Sequence, residues 1–236
     1  MKHKKIAILQ SNYIPWKGYF DLINSVDEFV IYDDMQFTKN DWRNRNRIKT
    51  SNGSQWLTIP VRHETLTQKI SETLTANTLW PTKHWKTIRQ NYAKTPYFPD
   101  YAPLFEELYL TAATQERRLS KINYMFLKTL CNILGIKTKL RWSEEFSLSG
   151  DRMQRLIGIC KESGADGYVS GPAARNYFDL ALARDEGIDV EWMDYSQYPE
   201  YPQCNPPFDH FVSILDLLFN TGPDTKSYMK TFHAAK

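Results

Sequence analysis

Ile6-Ala7-Ile8-Leu9-Gln10-Ser11-Asn12-Tyr13-Ile14-Pro15-Trp16-Lys17-Gly18-Tyr19-Phe20-Asp21-Leu22-Ile23-Asn24-Ser25-Val26-Asp27-Glu28-Phe29-Val30-Ile31-Tyr32 holds two short apolar runs with a longer amphipathic segment between them. Ile6 to Leu9 gives way to turn-prone residues, and Phe29 to Tyr32 is a second run of the same kind, so both read as buried strands. Tyr19, Leu22, Ile23 and Val26 recur at i, i+3, i+4 and i+7, which places one helical stripe against a core. Strand, helix and strand in this order predict a parallel crossover unit.

Outward from this unit, Gln55 to Pro60 and Ile70 to Leu74 read as two strands of an edge ribbon, Pro60 marking a strand end. Helical spacing follows in Trp85, Ile88 and Tyr92, in Leu104 and Leu108, and in Ile122, Phe126, Leu130 and Ile133, with Pro96, Pro99 and Pro103 separating the first two. Lys139 to Trp142 reads as a strand. Ser149 is placed to cap a helix with the stripe Met153, Leu156, Ile157 and Cys160, ended by Gly164. Tyr168 to Ser170 and Val190 to Met193 flank a helix from Asn176 to Glu186, stopped by Gly187, and so predict a second crossover unit. A last helix is expected from His210 to Asn220, with Phe211, Ile214, Leu215 and Leu218 on its buried face.

The chain has 236 residues, 42% hydrophobic and 24% charged, which suits one folded α/β domain and excludes disordered and fibrous classes. Its net charge of +3 is too small to imply a nucleic-acid partner, because such binding needs many phosphate contacts from a dense basic face. Seven Trp, fourteen Tyr and twelve Phe exceed what the core needs, so some rings are expected to line a concave binding surface. Cys131, Cys160 and Cys204 have neither disulfide nor zinc spacing, and no metal ligands are expected. The basic start, Met1 to Lys5, leads into an apolar run too short for a secretory signal, and no stretch is long enough to span a membrane; a cytoplasmic location is expected.

Ligands of open parallel sheets sit beyond the carboxyl ends of the strands, and this rule ranks the polar residues. The loop after the first strand offers Gln10, Asn12, Tyr13, Gly18 and Tyr19, and the loop after the second offers Asp33, Asp34 and Gln36. Side by side these loops make a crevice beside a helix amino terminus, which favours a phosphate or carboxylate, or else merely link elements. In Trp42-Arg43-Asn44-Arg45-Asn46-Arg47-Ile48-Lys49, an extended chain puts Arg43, Arg45, Arg47 and Lys49 on one face, either as an anion-binding row or as a charged edge strand. Asp34 and His84, the latter beside Lys83 and Trp85, are the candidate acid-base residues. His3, His63, His210 and His233 have no comparable setting. Ser170, Gly171, Arg175 and Tyr177 repeat a strand, glycine and helix arrangement without a Walker ending; Tyr195, Tyr198, Tyr201 and Gln203 form a stiff aromatic loop suited to sugar stacking or to packing. GxGxxG, HExxH and GxSxG are all missing.

Ala7 to Ile23, Phe29-Val30-Ile31-Tyr32-Asp33-Asp34 and Asn44-Arg45-Asn46-Arg47-Ile48 together resemble the WbqC-like family, and the likeness runs nearly end to end. Later pieces agree, among them Pro96-Tyr97-Phe98, Leu134-Gly135-Ile136, Ser170-Gly171-Pro172 and Ser213-Ile214-Leu215-Asp216. Ser11 stands where many relatives have Pro. A second likeness, to nucleotidylyltransferase-type folds, lacks their HxGH motif. The WbqC-like resemblance implies a bacterial protein of O-antigen and lipopolysaccharide biosynthesis, and a transferase that moves an acyl or aminoacyl group, glycyl included, onto an amino sugar carried as a nucleotide-sugar.

The expected fold is a Rossmann-like, largely parallel sheet with flanking helices, a β-ribbon and a helical insertion at about 80–135, all within one domain of residues 1–236. In this reading Arg45 and Arg47 hold the diphosphate, Gln10, Asn12 and Tyr19 orient the substrate, Asp34 or His84 takes the amine proton, and Ser170-Gly171 meets an oxyanion or a phosphate. The donor stays open between an acyl or aminoacyl carrier and ATP with Mg2+. The alternative is a noncatalytic sugar- or nucleotide-binding module that assists a glycosyltransferase, and a nucleic-acid module stands third.

Overall fold

The computed structural model describes residues 3–232; residues 1–2 and 233–236, and with them His233 and part of the basic start, lie outside. The chain begins with β1 (Lys5–Leu9), α1 (Lys17–Asn24) and β2 (Glu28–Ile31), the expected crossover unit. A ribbon of β3 (Arg45–Thr50) and β4 (Gly53–Thr58) comes next, then three helices, α2 (Trp80–Tyr92), α3 (Phe98–Thr114) and α4 (Leu119–Leu134). β5 (Lys139–Trp142), α5 (Arg152–Glu162), β6 (Gly167–Ser170), α6 (Leu180–Asp185), β7 (Asp189–Trp192) and α7 (Ile214–Thr221) complete the order.

Five strands form one parallel sheet in the order β5-β2-β1-β6-β7, Ile8 standing beside Val30 and Phe29 beside Leu140. Alternation along the strands covers both faces. Ile6, Ile8, Val30 and Tyr168 pack on one side with Leu156, Ile157 and Ile159 of α5 and Ala183 of α6. Ala7, Phe29, Ile31 and Val169 pack on the other with α1, α7 and the inner faces of α2, α3 and α4. This core reaches without a break from the sheet into the helical segment, through Trp80, Phe105, Tyr109 and Phe126. The chain adds β2 and β5 to one side of β1, then crosses to add β6 and β7 to the other. A crevice therefore opens between the carboxyl ends of β1 and β6, the place where such sheets bind ligands.

The ribbon differs from expectation. Ile70 to Leu74 is not a strand; β3 and β4 pair antiparallel from Arg45 opposite Thr58 to Thr50 opposite Gly53. Asn52-Gly53 is a strong short-range turn signal, and Gly53 takes φ +97°, open to glycine at no steric cost. α7 starts four residues later than its periodicity suggests, because Ser213 accepts the Leu215 N–H and caps it there. Phe211 is thereby left outside the helix and 61% exposed, where a buried position was expected. α5 is capped by Asp151, not Ser149, in a reciprocal box with Gln154. α3 starts at Phe98 and holds Pro103 within it, burying Phe105 and Tyr109 in place of Leu104 and Leu108. No helix among the described residues is long and apolar enough to cross a membrane.

Candidate functional site

The loop from Gln10 to Trp16 is held from three sides. Asn46, buried on β3, donates through Nδ2 to the carbonyls of Tyr13 (3.1 Å) and Ile14 (2.9 Å). Tyr13 N–H donates to the Trp42 carbonyl at 3.0 Å, and Ile214 N–H at the start of α7 donates to the Pro15 carbonyl at 2.9 Å. These bonds fix Ile14 at φ +36°, a conformation that costs a β-branched residue on the order of 1–3 kcal/mol and persists only where its surroundings over-determine it. Tyr19 braces the same loop by donating to the Gln10 carbonyl at 2.8 Å.

Three hollows follow one another along the carboxyl rim of the sheet. The first, about 60 Å³, lies in the crevice between β1 and β6 and is lined by Gln10, Tyr32, Arg152, Ser170 and Tyr177. Gln10 and Met35 are shared with the second, about 260 Å³, which adds Gln36, Asp41 and Arg43. Arg43 donates to Asn12 Oδ1, and Asn12 lines the third, about 240 Å³, with Trp16, Trp42, Asn46 and Phe211. The rings of this third hollow are the surplus aromatics that the composition announced. Trp42 is 41% exposed and packs on Trp56 at 5.4 Å between ring centres, while Phe211 lies 6.1 Å from Trp16.

Gly18 serves a different purpose from close approach to a ligand. A Cβ there would stand 2.4 Å from the Trp16 ring, so the glycine lets that indole lie against α1 and form a wall of the third hollow. Gly18→Ala would by helix propensity alone add about 1 kcal/mol of stability. Here it is expected to lose about 1–3 kcal/mol by overpacking and to weaken binding in the hollow, as read from urea denaturation and ligand titration.

Several expected binding residues face inward. Asp33 is buried and accepts from Ser11 N–H (2.7 Å), Ser11 Oγ (2.6 Å) and Ser120 Oγ. Burial raises its pKa, against these hydrogen bonds. Asn123 completes the cluster by donating to Ser11 Oγ at 3.0 Å, so the departure at position 11 ties the first loop to α4. Asn44 donates to the Ile59 carbonyl at 2.8 Å and closes the ribbon. Arg45 lies 4.1 Å over the Trp56 ring and donates to the Asn40 carbonyl; Arg47 faces Asp209 at 3.9 Å. Lys49 shares their side of the ribbon and donates to the Pro207 carbonyl, but Arg43, ahead of the strand, turns to Asn12. Arg175 lies over Trp192, 5.6 Å from the ring centre, and does not line the crevice. A Cβ at Gly171 would meet Tyr195 only at 3.6 Å, ordinary contact.

Tyr201 and Gln203 belong to a buried network behind α1. Asp216 accepts from Tyr92 (2.7 Å), Tyr201 (2.6 Å) and Gln203 Nε2 (2.8 Å), and Asp21 accepts from Tyr198 (2.6 Å) and the backbone N–H groups of Lys230 and Thr231. Lys17 sits among these rings, its ammonium 4.7 Å from the Tyr198 ring centre and 5.3 Å from that of Tyr201. Burial pulls its pKa down to about 8, against the attraction of Asp21 and Asp216.

His84 is removed from the rim. Its Nδ1 lies 2.9 Å from the Tyr13 hydroxyl, which is 2.6 Å from that of Tyr109, and its Nε2 lies 3.2 Å from the Thr58 carbonyl. A carbonyl only accepts, so Nε2 carries the hydrogen, and the chain runs from Tyr109 through Tyr13 into Nδ1. Burial lowers the imidazole pKa to about 4, which keeps the ring neutral and both nitrogens engaged. The unfolded chain takes up a proton near pH 6.5, whereas the folded one waits until about pH 4. The His84 contribution is thus intact above pH 6.5 and lost as pH falls to 4, about 3 kcal/mol in all. His84→Gln keeps one donor and one acceptor, so wild type minus variant stability, measured by urea titration, should fall across that window and stay flat above it.

The thiols offer no nucleophile on the rim: all three cysteines are free, and burial pushes Cys131 and Cys160 up to about 12. Asp34 remains accessible, paired with Lys69 at 2.5 Å and with its side chain 26% exposed, while Asp41 lines the second hollow near Arg43. Among the described residues no cluster of three or more His, Cys, Asp or Glu side chains is placed to hold a metal ion.

The sequence profile of the WbqC-like protein family matches residues 10–228, nearly the whole chain. The chain belongs to the WbqC-like family. Within the curated proteins, this WbqC-like chain is 47% identical over 228 residues to a Mycobacterium tuberculosis protein called "Uncharacterized protein Rv1507c", covering 96% of this chain and 98% of that protein. No solved structure matches it significantly.

Ser11, Asp33, Ser120 and Asn123 of this WbqC-like chain therefore build the loop, while Gln10, Asn12, Trp16, Trp42 and Phe211 are the groups it presents. Residue-type reasoning ranked amides and charges and passed over Trp16, Trp42 and Phe211. The signal for them was the aromatic surplus, which says that rings line a surface without saying which.

Proposed function

We propose that this WbqC-like protein acts in bacterial surface-polysaccharide biosynthesis, including O-antigen synthesis, and transfers an acyl or aminoacyl group to the amine of a nucleotide-linked amino sugar. The observation that carries the reading is the third hollow, where Trp16, Trp42 and Phe211 surround the amides of Asn12 and Asn46. Apolar ring faces stack on the C–H face of a sugar, while amides hydrogen-bond its hydroxyls. Asn12 uses Oδ1 on Arg43, and among the described residues its Nδ2 has no partner.

In the transfer the sugar amine attacks the acyl carbonyl carbon. The new N–C bond forms, the bond to the carrier breaks with its electron pair leaving on the carrier, and the amine proton passes to Asp34 once Lys69 releases it. A second reading, a noncatalytic sugar-nucleotide-binding module, draws support from two observations. His84 has both ring nitrogens engaged away from the rim, and Asp34 is already ion-paired.

The test combines thermal-shift titration with UDP- and dTDP-linked amino sugars and mass spectrometry after incubation with acyl-CoA esters, or with glycine, ATP and Mg2+. Stabilisation together with an amide product is expected. Stabilisation without product under any donor supports the binding module, and no stabilisation by any nucleotide-sugar contradicts both.

A further inference from the structure

The crevice between β1 and β6 is lined by hydrogen-bond donors and by no carboxylate. Gln10 follows β1, Tyr32 follows β2, Ser170 ends β6 and Arg152 opens α5, so polar groups converge from the ends of three strands and one helix. The Tyr32 side chain is buried, with the residue only 4% exposed, yet its hydroxyl has no hydrogen-bond partner among the described residues. Arg155, one turn along α5, approaches it without closing a well-aligned bond and donates Nε to the Gly150 carbonyl at 3.0 Å. A buried hydroxyl left unpaired costs free energy that a ligand oxygen recovers.

The cations around this hydroxyl are free. Among the described residues neither Arg152 nor Arg155 has a carboxylate within ion-pair reach, and Arg152 lies over the Tyr177 ring, 3.4 Å from its centre. Ser170 Oγ accepts from Tyr168 at 3.3 Å and keeps its own hydrogen to donate. Asp34 lies near, but Lys69 neutralises it at 2.5 Å.

We propose that Gln10, Tyr32, Ser170 and Arg152 form a binding site for a phosphoryl oxyanion, with Arg155 as a supporting cation. Donors arriving from four directions suit a tetrahedral phosphoryl group, where a single guanidinium fork would suit a planar carboxylate. At about 60 Å³ the hollow takes the anionic head alone. The rest of the ligand continues past Gln10 and Met35 into the adjoining space of about 260 Å³. Resting on the function proposed above, the head is one phosphoryl group of the nucleotide-sugar's diphosphate, with nucleoside and sugar both leaving through the adjoining space, and it lies here and not on Arg45 and Arg47, which are engaged with Trp56 and Asp209.

The test titrates inorganic pyrophosphate and, separately, UDP-linked amino sugar into the full chain by calorimetry at low salt, with acetate as the planar competitor. Wild type should bind pyrophosphate. Arg152→Ala should weaken it about tenfold or more and Tyr32→Phe about fivefold, because each removes a donor to a charged group. Lys161→Ala, on the outer face of α5 and paired with Glu186, should leave it unchanged. Tyr32→Phe keeps the ring in the core, so it remains informative if Arg152→Ala misfolds by circular dichroism. Pyrophosphate affinity indifferent to both substitutions, or acetate competing at equal concentration, overturns the phosphoryl site. If pyrophosphate binds as expected but no nucleotide-sugar does, the anion site stands and the nucleotide-sugar reading falls. If nucleotide-sugar binds with no sensitivity to either substitution, that reading stands and this site falls.

Discussion

Asp34→Asn is expected to lower turnover about 10²- to 10⁴-fold, the usual contribution of a positioned general base, while the dissociation constant for nucleotide-sugar stays within about threefold. The separation follows from where Asp34 sits. It is on the loop after β2, accessible and paired with Lys69, and it does not line the aromatic hollow. The substitution leaves Lys69 without its partner, but that pair is partly solvated, and exposed pairs contribute about 0–1 kcal/mol, so folding is scarcely affected. Single-turnover kinetics beside calorimetry on the same preparation decides it. Unchanged turnover removes Asp34 from the chemistry.

The largest effect on stability is expected at Asp216, far from any solvent. Asp216→Ala leaves the hydroxyls of Tyr92 and Tyr201 with no acceptor in a buried site and takes one of three acceptors from Gln203 Nε2, beside the buried Lys17 and Lys49 cations. Breaking such a set costs about 3–5 kcal/mol. Burial raises the Asp216 pKa, opposed by the hydrogen bonds from Tyr201, Tyr92 and Gln203. Asp216→Asn keeps an acceptor and should therefore lose less than Asp216→Ala. Equal denaturation midpoints for the two would deny the network its structural role.

The parallel sheet was readable because its strands announce themselves as short apolar runs bounded by polar loops, and because Ile6 to Tyr32 contains a whole crossover unit. The second ribbon strand was sought at Ile70 to Leu74 and not at Arg45 to Thr50 because the latter carries a single apolar residue, Ile48, its other buried positions being Asn46, Lys49 and Thr50. Asn52-Gly53 was the available signal. Phe211 fits a helical stripe by spacing, and only the Ser213 cap moves it out to solvent.

For the rim, loop position after β1 and β6 puts Gln10 and Ser170 in one hollow, and Asn12 lines another. Which polar groups face out was not legible. Asp33 and Asp34 are neighbours of one type, and burial alone separates a loop anchor from an accessible carboxylate. Arg152 was invisible for another reason: it joins the crevice only because α5 packs on the face of the sheet that Tyr32 shares.

A crystal structure of the protein with a UDP-linked amino sugar tests the account most directly. The sugar ring is expected between Trp16, Trp42 and Phe211 with Asn12 on a hydroxyl, and the diphosphate against Tyr32 and Arg152. Ligand bound on the ribbon at Arg45 and Arg47, or at the His84 face, with the rim groove empty, would contradict it.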